Sequence, residues 1–365
     1  MKNLMGWLCG VFMAAVAMCH AVDIDPANAT PVPANGEQLS ETPAAPDTAP
    51  VPGTVPGSTN DPFSQMPAPT PDGGVMPASL NAAGDDLTND MISSAARRAA
   101  RLPSDDVEIR GLEVLSSVSG FQTRDQVREL NDQIVAGGFN RVYPEVRTAY
   151  GVAIESRTEQ VMSFISPAFP NPAAEMKAQL AGTASVFPLV SVLPAYSAVT
   201  GIRPLPDNIL AKFPAFGNRS VTGEFVAPDN QVYLDPGSTP VQDYLSSILL
   251  EIDTQILPDG YLLSGISYPG KDWGYSERAV SEFRSIVGGE GPPPPDDPTW
   301  TAYRRDQLTK LLKRLKATVT KDRPSVKFSV LITVDGMPPT TWEEWQNSTA
   351  YADHMQDWIE WLRNF

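Results

Sequence analysis

Cysteine and histidine are almost absent from this 365-residue sequence, which contains two of each. Both cysteines, Cys9 and Cys19, and one histidine, His20, lie close to the N-terminus. If export removes this stretch, the remaining chain has one histidine, His354, and no cysteine. A disulfide, a cysteine nucleophile and a zinc site built from cysteines or two histidines are then excluded. A Ser-His-Asp triad could use only His354.

Three common catalytic sequence patterns are also missing. The sequence contains no Gly-rich phosphate loop, no cluster of residues at metal-ligand spacing and no nucleophile elbow. We therefore predict no catalytic residue of a recognised motif, no cofactor and no metal, and we expect the protein not to be an enzyme.

The N-terminal segment, residues 1–21, has the pattern of a secretory signal peptide. Lys2 precedes an apolar run from Leu4 to Met18, and small residues follow, so we expect cleavage after Ala21. The run is short for a transmembrane helix, and Met18 does not suit the position before a lipidated Cys19. We predict a periplasmic protein with no integral membrane span. A lipid anchor at Cys19 and an uncleaved anchor are the alternatives.

Proline is abundant, with 36 residues in the chain. It is concentrated with alanine and threonine in residues 22–84, where aliphatic residues are few. Such a segment cannot bury enough apolar surface to offset the entropy lost on ordering, so we predict a disordered tether there. A folded domain is expected over residues 85–365, with a sub-boundary between 170 and 240 as the alternative.

The residues from Thr239 to Ser267 are expected to organise the folded domain. Thr239 and Pro240 are typical of a helix start, and apolar residues then recur at helical spacing as far as Ile256. Pro258 ends the pattern, a turn follows at residues 259–260, and an apolar strand comes next.

Further signals indicate an α+β domain that is mainly helical with a few strands. Capping boxes at residues 123–126 and 341–344 each predict a helix start. A helix is also expected from Pro144 to Pro167, and others from residues 276 and 297. The clearest strand is predicted after Pro324.

Tryptophan is concentrated at the C-terminal end, which is a candidate partner-binding surface. Tryptophan is favoured at interfaces because it buries a large area at a small entropic cost. The alternative is that the same residues pack on their own domain. The candidate partner-binding residues are Trp342, Trp345, Trp358, Trp361 and Phe365.

The formal net charge is −16, which disfavours long-range attraction to nucleic acid, so we expect no direct nucleic-acid binding. One basic segment, residues 304–327, has two explanations. It contacts phosphate, nucleic acid or another anionic partner, or it faces the acidic C-terminal helix or an acidic neighbouring subunit, which we favour. Its cations are Arg304, Arg305, Lys310, Lys313, Arg314, Lys316, Lys321, Arg323 and Lys327.

A second candidate site consists of carboxylates near aromatic residues. Asp272 precedes Trp273, and Glu277 and Glu282 follow shortly after Tyr275. A pair of carboxylates beside aromatic residues is what a glycan hydrolase requires. An ordinary charged surface loop is the alternative.

Residues 213–249 resemble a segment of periplasmic proteins from type IVB (Dot/Icm-like) secretion and conjugation systems, the IcmX/TraW-like group. The resemblance implies a non-enzymatic subunit of an oligomeric envelope complex. The chain departs from the pattern by a longer run between Pro236 and Gln242. The matching residues are Asn218, Ser220, Asp235, Pro236, Gln242, Leu245, Ile248 and Leu249.

Two hypotheses of function follow from the sequence. The first is an exported structural subunit of a secretion or conjugation apparatus, which binds other envelope proteins and forms a homo-oligomer. The alternative is a periplasmic, carboxylate-dependent glycan or peptidoglycan hydrolase, or a glycan-binding module.

Overall fold

The structure, a computed structural model, describes residues 108–116, 121–198, 208–334 and 339–364. The predicted signal peptide, the predicted tether and Phe365 lie outside these residues. The boundaries given above for them therefore stay predictions.

The strands of the described residues are β1 (Gly111–Val114), β2 (Arg141–Thr148), β3 (Gly151–Val152), β4 (Ser185–Val186), β5 (Leu189–Ser191), β6 (Pro194–Ser197), β7 (Gln231–Tyr233), β8 (Gly260–Ser264) and β9 (Lys327–Val330). The helices are α1 (Arg124–Ala136), α2 (Pro172–Gln179), α3 (Ile209–Lys212), α4 (Thr239–Ile256), α5 (Glu277–Val287), α6 (Pro298–Thr320), α7 (Trp342–Gln346), α8 (Thr349–Ala352) and α9 (Trp358–Asn364).

A seven-stranded sheet forms the centre of the domain. Its strands follow the order β1-β2-β5-β8-β9, and both β3 and β4 pair with β2. The pairings are parallel except for that of β2 with β3. The strands of this path occur in the same order in the chain and in the sheet, with at least one helix between neighbours, and β6 and β7 form a separate two-stranded sheet. This sequential order is that of a (β/α)8 barrel, whereas a doubly wound sheet reverses direction.

The expected mainly helical α+β class is therefore wrong, because the core is a parallel α/β sheet. Strands covered on both faces are apolar throughout and do not alternate. Residues 185–191, for example, form β4 and β5, separated by Phe187 and Pro188. Capping residues mark several helix starts in the sequence, whereas no comparable local signal marks these short strands.

The most consequential error concerns the helix predicted from Pro144 to Pro167. This segment forms most of β2, then β3 and a loop that reaches α2. Pro144 misled the prediction, since proline is typical of a first helical turn. In the sheet, Pro144 falls between the residues of β2 that pair with β4 and those that pair with β5. A missing N–H is tolerated at such an interruption.

Several other predicted elements are confirmed. Both capping boxes form, at Thr123 with Gln126 and at Thr341 with Glu344. Helix α4 begins at Thr239, with Ser238 rather than Thr239 at the N-cap position. Its predicted apolar stripe is buried, and β8 follows after the predicted turn. The buried stripe comprises Leu245, Ile248, Leu249, Ile252 and Ile256.

The main core lies between the sheet and its helices, with α4 and α6 packed together. Because successive strand residues face opposite sides, each strand also presents residues to the other face of the sheet. There, an apolar cluster comprises Tyr143, Phe187, Leu189 and Leu262. The polar residues Glu145, Ser191 and Ser264 stand two positions further along their strands. The non-helical face of the sheet thus changes from apolar to polar toward its carboxyl end.

We predict that Ile252→Ala will lower the free energy of unfolding by about 2–5 kcal/mol. Ile252 is fully buried in the main core, and truncation there loses apolar contacts and leaves a cavity. Leu250→Ala is the matched control on the same helix, because Leu250 is 45% exposed. It should change stability by about 0.5 kcal/mol or less. Urea unfolding measures both, and equal losses would contradict the placement of α4.

Candidate active site

A pocket of about 290 Å³ lies at the carboxyl end of the parallel strands. Ser191 and Ser264, which end β5 and β8, are paired in register and both line it. Ser197 and Gln231 are paired across β6 and β7 and also line the pocket. The other lining residues are Ser116, Glu145, Arg147, Thr148, Ala149, Tyr150, Phe164 and Leu189.

Glu145 on β2 is the carboxylate of this pocket, and Ser116 fixes its position. The hydroxyl of Ser116 donates to Oε2 of Glu145 at 2.7 Å, and the backbone N–H of Ser116 reaches the same oxygen at 3.2 Å. Ser116 is itself buried, just beyond the end of β1. Glu145 is half-buried. The carboxyl group is thus held at the pocket by two donors from the neighbouring strand.

The pocket also borders a fully buried ion pair between Arg147 and Glu159. Nε of Arg147 lies 2.6 Å from one carboxylate oxygen of Glu159, and Nη2 lies 3.2 Å from the other. Burial, the largest single effect, acts to lower the pKa of Arg147, but the charge of Glu159 and the contacts with Tyr244 together outweigh it, so the pKa is raised. Charge-assisted, two-point pairs of this kind have a defined geometry.

Arg147 also joins β2 to the chain that follows β5. Its Nη1 donates to the carbonyl oxygens of Ser191, Val192 and Pro194, at 3.0 Å for Val192 and 3.2 Å for Pro194. These carbonyls belong to the segment that leads from β5 into β6. The guanidinium therefore sets the distance between two strand ends that line the pocket.

Helix α4 holds the loop that carries Glu159. The carboxylate of Glu251 accepts hydrogen bonds from the Ser156 hydroxyl, the Arg157 N–H at 3.2 Å and the Thr158 hydroxyl at 2.8 Å. Tyr244, on the same helix, is buried beside the ion pair. Burial and then the Glu159 charge raise the pKa of Tyr244. Contacts from α4 thus place Glu159 against Arg147.

The carboxylates that the sequence suggested as a glycan-hydrolase pair do not line this pocket. Asp272 and Glu277 are exposed, and neither lines the pocket. Glu282 is also exposed and pairs with Arg278 on the same helix, α5. Trp273 and Tyr275 are buried in the domain. The aromatic residues of this segment therefore pack inside the protein and do not flank an open carboxylate pair.

The C-terminal tryptophans contact one another and the body of the domain. Trp345 is fully buried. The centroid of its ring lies 4.7 Å from that of Trp358 and 5.1 Å from that of Tyr351. Trp361 is buried and donates to Thr309 at 2.9 Å. Trp342 and Trp358 are partly buried. Their role in partner binding stays a prediction.

The basic segment is divided among several internal contacts. Arg314 pairs with Asp243, and Arg323 pairs with Asp253, both on α4. Arg304 is buried, and its guanidinium donates to the carbonyls of Trp273 and Pro295, at 2.6 and 2.8 Å. Burial lowers the pKa of Arg304 to about 10. These cations fix loops and helices of their own domain.

The residues behind the secretion-system resemblance also serve internal contacts. Asp235 is buried and accepts hydrogen bonds from Gly237, Ser276 and Arg278. Its bond to Nε of Arg278 measures 2.9 Å. Asn218 accepts from the N–H of Gly274 at 2.9 Å. This network ties residues 218–237 to the segment that follows β8.

Within the residues that the structure describes, no group of His, Cys, Asp and Glu side chains is arranged to hold a metal ion. No helix in the same residues is both long enough and apolar enough to cross a membrane.

A family model described as "Glycosyl hydrolase-like 10" matches residues 108–365. The chain belongs to this family. The match covers all of the described sheet, the pocket and the C-terminal helices. No curated protein matches the chain significantly.

Three solved structures similar to this glycosyl hydrolase-like chain have low identity. The PgaB (BpsB) glycoside hydrolase domain from Bordetella bronchiseptica is 14% identical, with TM-score 0.48 and coverage of 71% of this chain and 72% of that one. The β-amylase catalytic domain from Paenibacillus polymyxa is 15% identical, with TM-score 0.42 and coverage of 61% and 66%. A hypothetical protein from Ruminiclostridium thermocellum is 15% identical, with TM-score 0.40 and coverage of 60% and 96%.

The family match overturns three expectations from the sequence. The resemblance to type IVB secretion proteins was wrong, as was the structural subunit of a secretion or conjugation apparatus inferred from it. The expectation that the protein is not an enzyme is contradicted as well, because the family is glycosyl hydrolase-like. The alternative hypothesis, a glycan hydrolase or glycan-binding module, is the one that the family supports.

Sequence reasoning missed Ser116, Glu145 and Arg147. Glu145 and Arg147 fall in the segment that the sequence predicts as a helix from Pro144 to Pro167, and on a helix such charges indicate only a solvated face. In a strand they alternate with Pro144 and Val146, which face the other side. The sequence pattern that could have identified Glu145 and Arg147 is the alternation of two charged residues with apolar ones, which is typical of a strand.

We predict that Glu159→Gln will lower the free energy of unfolding by about 3–5 kcal/mol, because it leaves the buried Arg147 charge unpaired. The double variant Arg147→Met with Glu159→Leu should be less destabilised than the single variant, since it buries no unpaired charge. Lys310→Met, in an exposed pair with Asp306, should cost about 1 kcal/mol or less. Denaturant unfolding of the four proteins tests this, and a double variant less stable than Glu159→Gln would contradict it.

Proposed function

We propose that this protein binds a glycan in the strand-end pocket and hydrolyses it, with Glu145 as the acid–base group. The observation that carries the proposal is the position of Glu145, held by Ser116 at the carboxyl end of the parallel strands. Barrel enzymes keep their active sites at this end of the strands. The glycosyl hydrolase-like family supports the same class of substrate.

The chemistry asked of Glu145 is proton transfer to the glycosidic oxygen and proton removal from water. Both hydrogen bonds from Ser116 end on Oε2, so Oε1 is the oxygen available to a ligand. In its protonated form the carboxyl group would donate its proton to the leaving oxygen as the glycosidic bond breaks, and in its ionised form it would accept a proton from the water whose oxygen bonds to the anomeric carbon. The serine hydroxyls and Gln231 supply donors and acceptors for sugar hydroxyls.

The charge of the pocket favours a ligand without strong negative charge. The guanidinium of Arg147 is neutralised by Glu159 and its donors are taken by backbone carbonyls. Glu145 therefore sets the sign of the local field. The small volume, about 290 Å³, lies near the lower end of the range for small-molecule sites. It suits one or two sugar units rather than a long stretch of chain.

A second candidate function is glycan binding in the same pocket without hydrolysis. It is favoured by one observation: Glu145 is the only carboxylate among the described residues that line the pocket. Hydrolysis by two carboxylates requires a partner roughly 5–10 Å away. Glu159 is committed to Arg147.

We also propose that the protein acts in the periplasm, with residues 1–21 as a cleaved signal. The support is the cationic start, the short apolar run and the small residues before Val22. A homo-oligomer stays a prediction from the sequence.

Hydrolysis is predicted to fall at least about 100-fold in Glu145→Gln, because the amide cannot transfer the proton. Glycan binding should persist, since the amide keeps the shape of the side chain. The measurement uses the full chain and mass spectrometry of products from peptidoglycan sacculi, chitotetraose, its de-N-acetylated form, cellotetraose and maltotetraose. Glu282→Gln is the matched control, because Glu282 is exposed outside the pocket, and it should retain full activity.

Each result separates the two functions. Product release by the wild type that is unchanged in Glu145→Gln would remove Glu145 from the mechanism. Binding of a glycan by the wild type without product release would select the second candidate. Neither binding nor hydrolysis of any glycan would contradict both.

A further inference from the structure

Tyr150 is an exposed aromatic residue at the rim of the strand-end pocket. It lies in the turn between β2 and β3, lines the pocket, and is 57% exposed. Phe164, the other aromatic residue of the lining, is partly buried and packs against the main core. The ring of Tyr150 therefore remains open to a ligand.

The turn holds the backbone of Tyr150 at two points. Its N–H donates to the hydroxyl of Thr148 at 3.0 Å, and its carbonyl accepts from the side-chain amide of Gln160 at 2.9 Å. Thr148 and Gly151 close the two-residue turn as a strand pair. The loop tip is thus fixed before a ligand arrives, which reduces the entropy lost on binding.

The conformation of this turn requires a glycine at position 151. Its φ of +121° is one that side chains rarely adopt, and an added Cβ would collide with the carbonyl oxygen of Gln160. The turn therefore cannot relax easily into another shape. An exposed, large ring on a constrained tip beside a polar pocket favours a role in binding, because a solvated loop tip needs neither feature.

We propose that the ring of Tyr150 is a stacking platform for a sugar ring in the strand-end pocket. A pyranose has an apolar C–H face and a polar rim. The aromatic face suits the first, and the hydroxyls of Ser191 and Ser264 suit the second. Tyr150 would bind and orient the sugar next to Glu145, and it takes no part in proton transfer. This inference rests on the proposed function.

The test compares Tyr150→Ala and Tyr150→Phe with the wild type by isothermal titration calorimetry. The probe is whichever of chitotetraose, its de-N-acetylated form, cellotetraose and maltotetraose the wild type binds most tightly. Tyr150→Ala should weaken binding about tenfold, in the range of a truncated aromatic contact. Tyr150→Phe keeps the ring and should bind within about threefold of the wild type. Leu362→Ala, which truncates a 72% exposed side chain that does not line this pocket, should bind unchanged.

The outcomes distinguish this inference from the proposed function. If the wild type binds and Tyr150→Ala binds equally well, the platform is wrong and the proposed function stands. If Tyr150→Phe binds as weakly as Tyr150→Ala, the hydroxyl rather than the ring makes the contact, and stacking is wrong. If the wild type binds none of the probes, the proposed function fails and this inference fails with it. Unfolding curves of the variants should match the wild type, since the side chain is exposed.

Discussion

The buried ion pair between Arg147 and Glu159 is the interaction on which the pocket depends. Two charges removed from water are costly, and only close, multiple hydrogen bonds compensate. Here Glu159 binds two nitrogens of the guanidinium, and three backbone carbonyls between the end of β5 and the start of β6 accept from the third. The guanidinium is therefore fully engaged, and it holds the end of β2 against the segment that leads into β6. The pocket lies beside these contacts of Arg147.

Two other parts of the domain hold the residues around this ion pair in place. Helix α4 buries its apolar stripe in the main core and presents Glu251 to the loop that carries Glu159. On the other side, the short strand β1 delivers Ser116 to Glu145. The face of the sheet away from the main core supplies the chemistry, because its strands change from apolar to polar residues toward their carboxyl ends. The residues of the main core and those of the candidate site thus lie on different faces of the sheet.

Parts of the fold could be predicted from local signals, and parts of the site could not. The capping boxes at Thr123 and Thr341, the stripe of α4 and the strand β9 follow from short-range patterns and were confirmed. The segment from Pro144 was assigned to a helix, because a proline followed by spaced apolar residues fits that pattern equally well. Its strand conformation comes from pairing with β1, β4 and β5. These partners are distant in sequence, and no local pattern specifies them.

The sequence by itself determined the residue types available for chemistry and the starts of five of the described helices, α1, α4, α5, α6 and α7. With both cysteines and one histidine close to the N-terminus, the chemistry left to the described domain falls mainly to carboxylates, hydroxyls and aromatic rings. Only the tertiary structure decided which carboxylate matters. Asp272, Glu277 and Glu282 stay at the surface, whereas Glu145 lines the strand-end pocket and accepts a hydrogen bond from Ser116. The reason is physical: parallel strands bring residues far apart in sequence to one edge of a sheet.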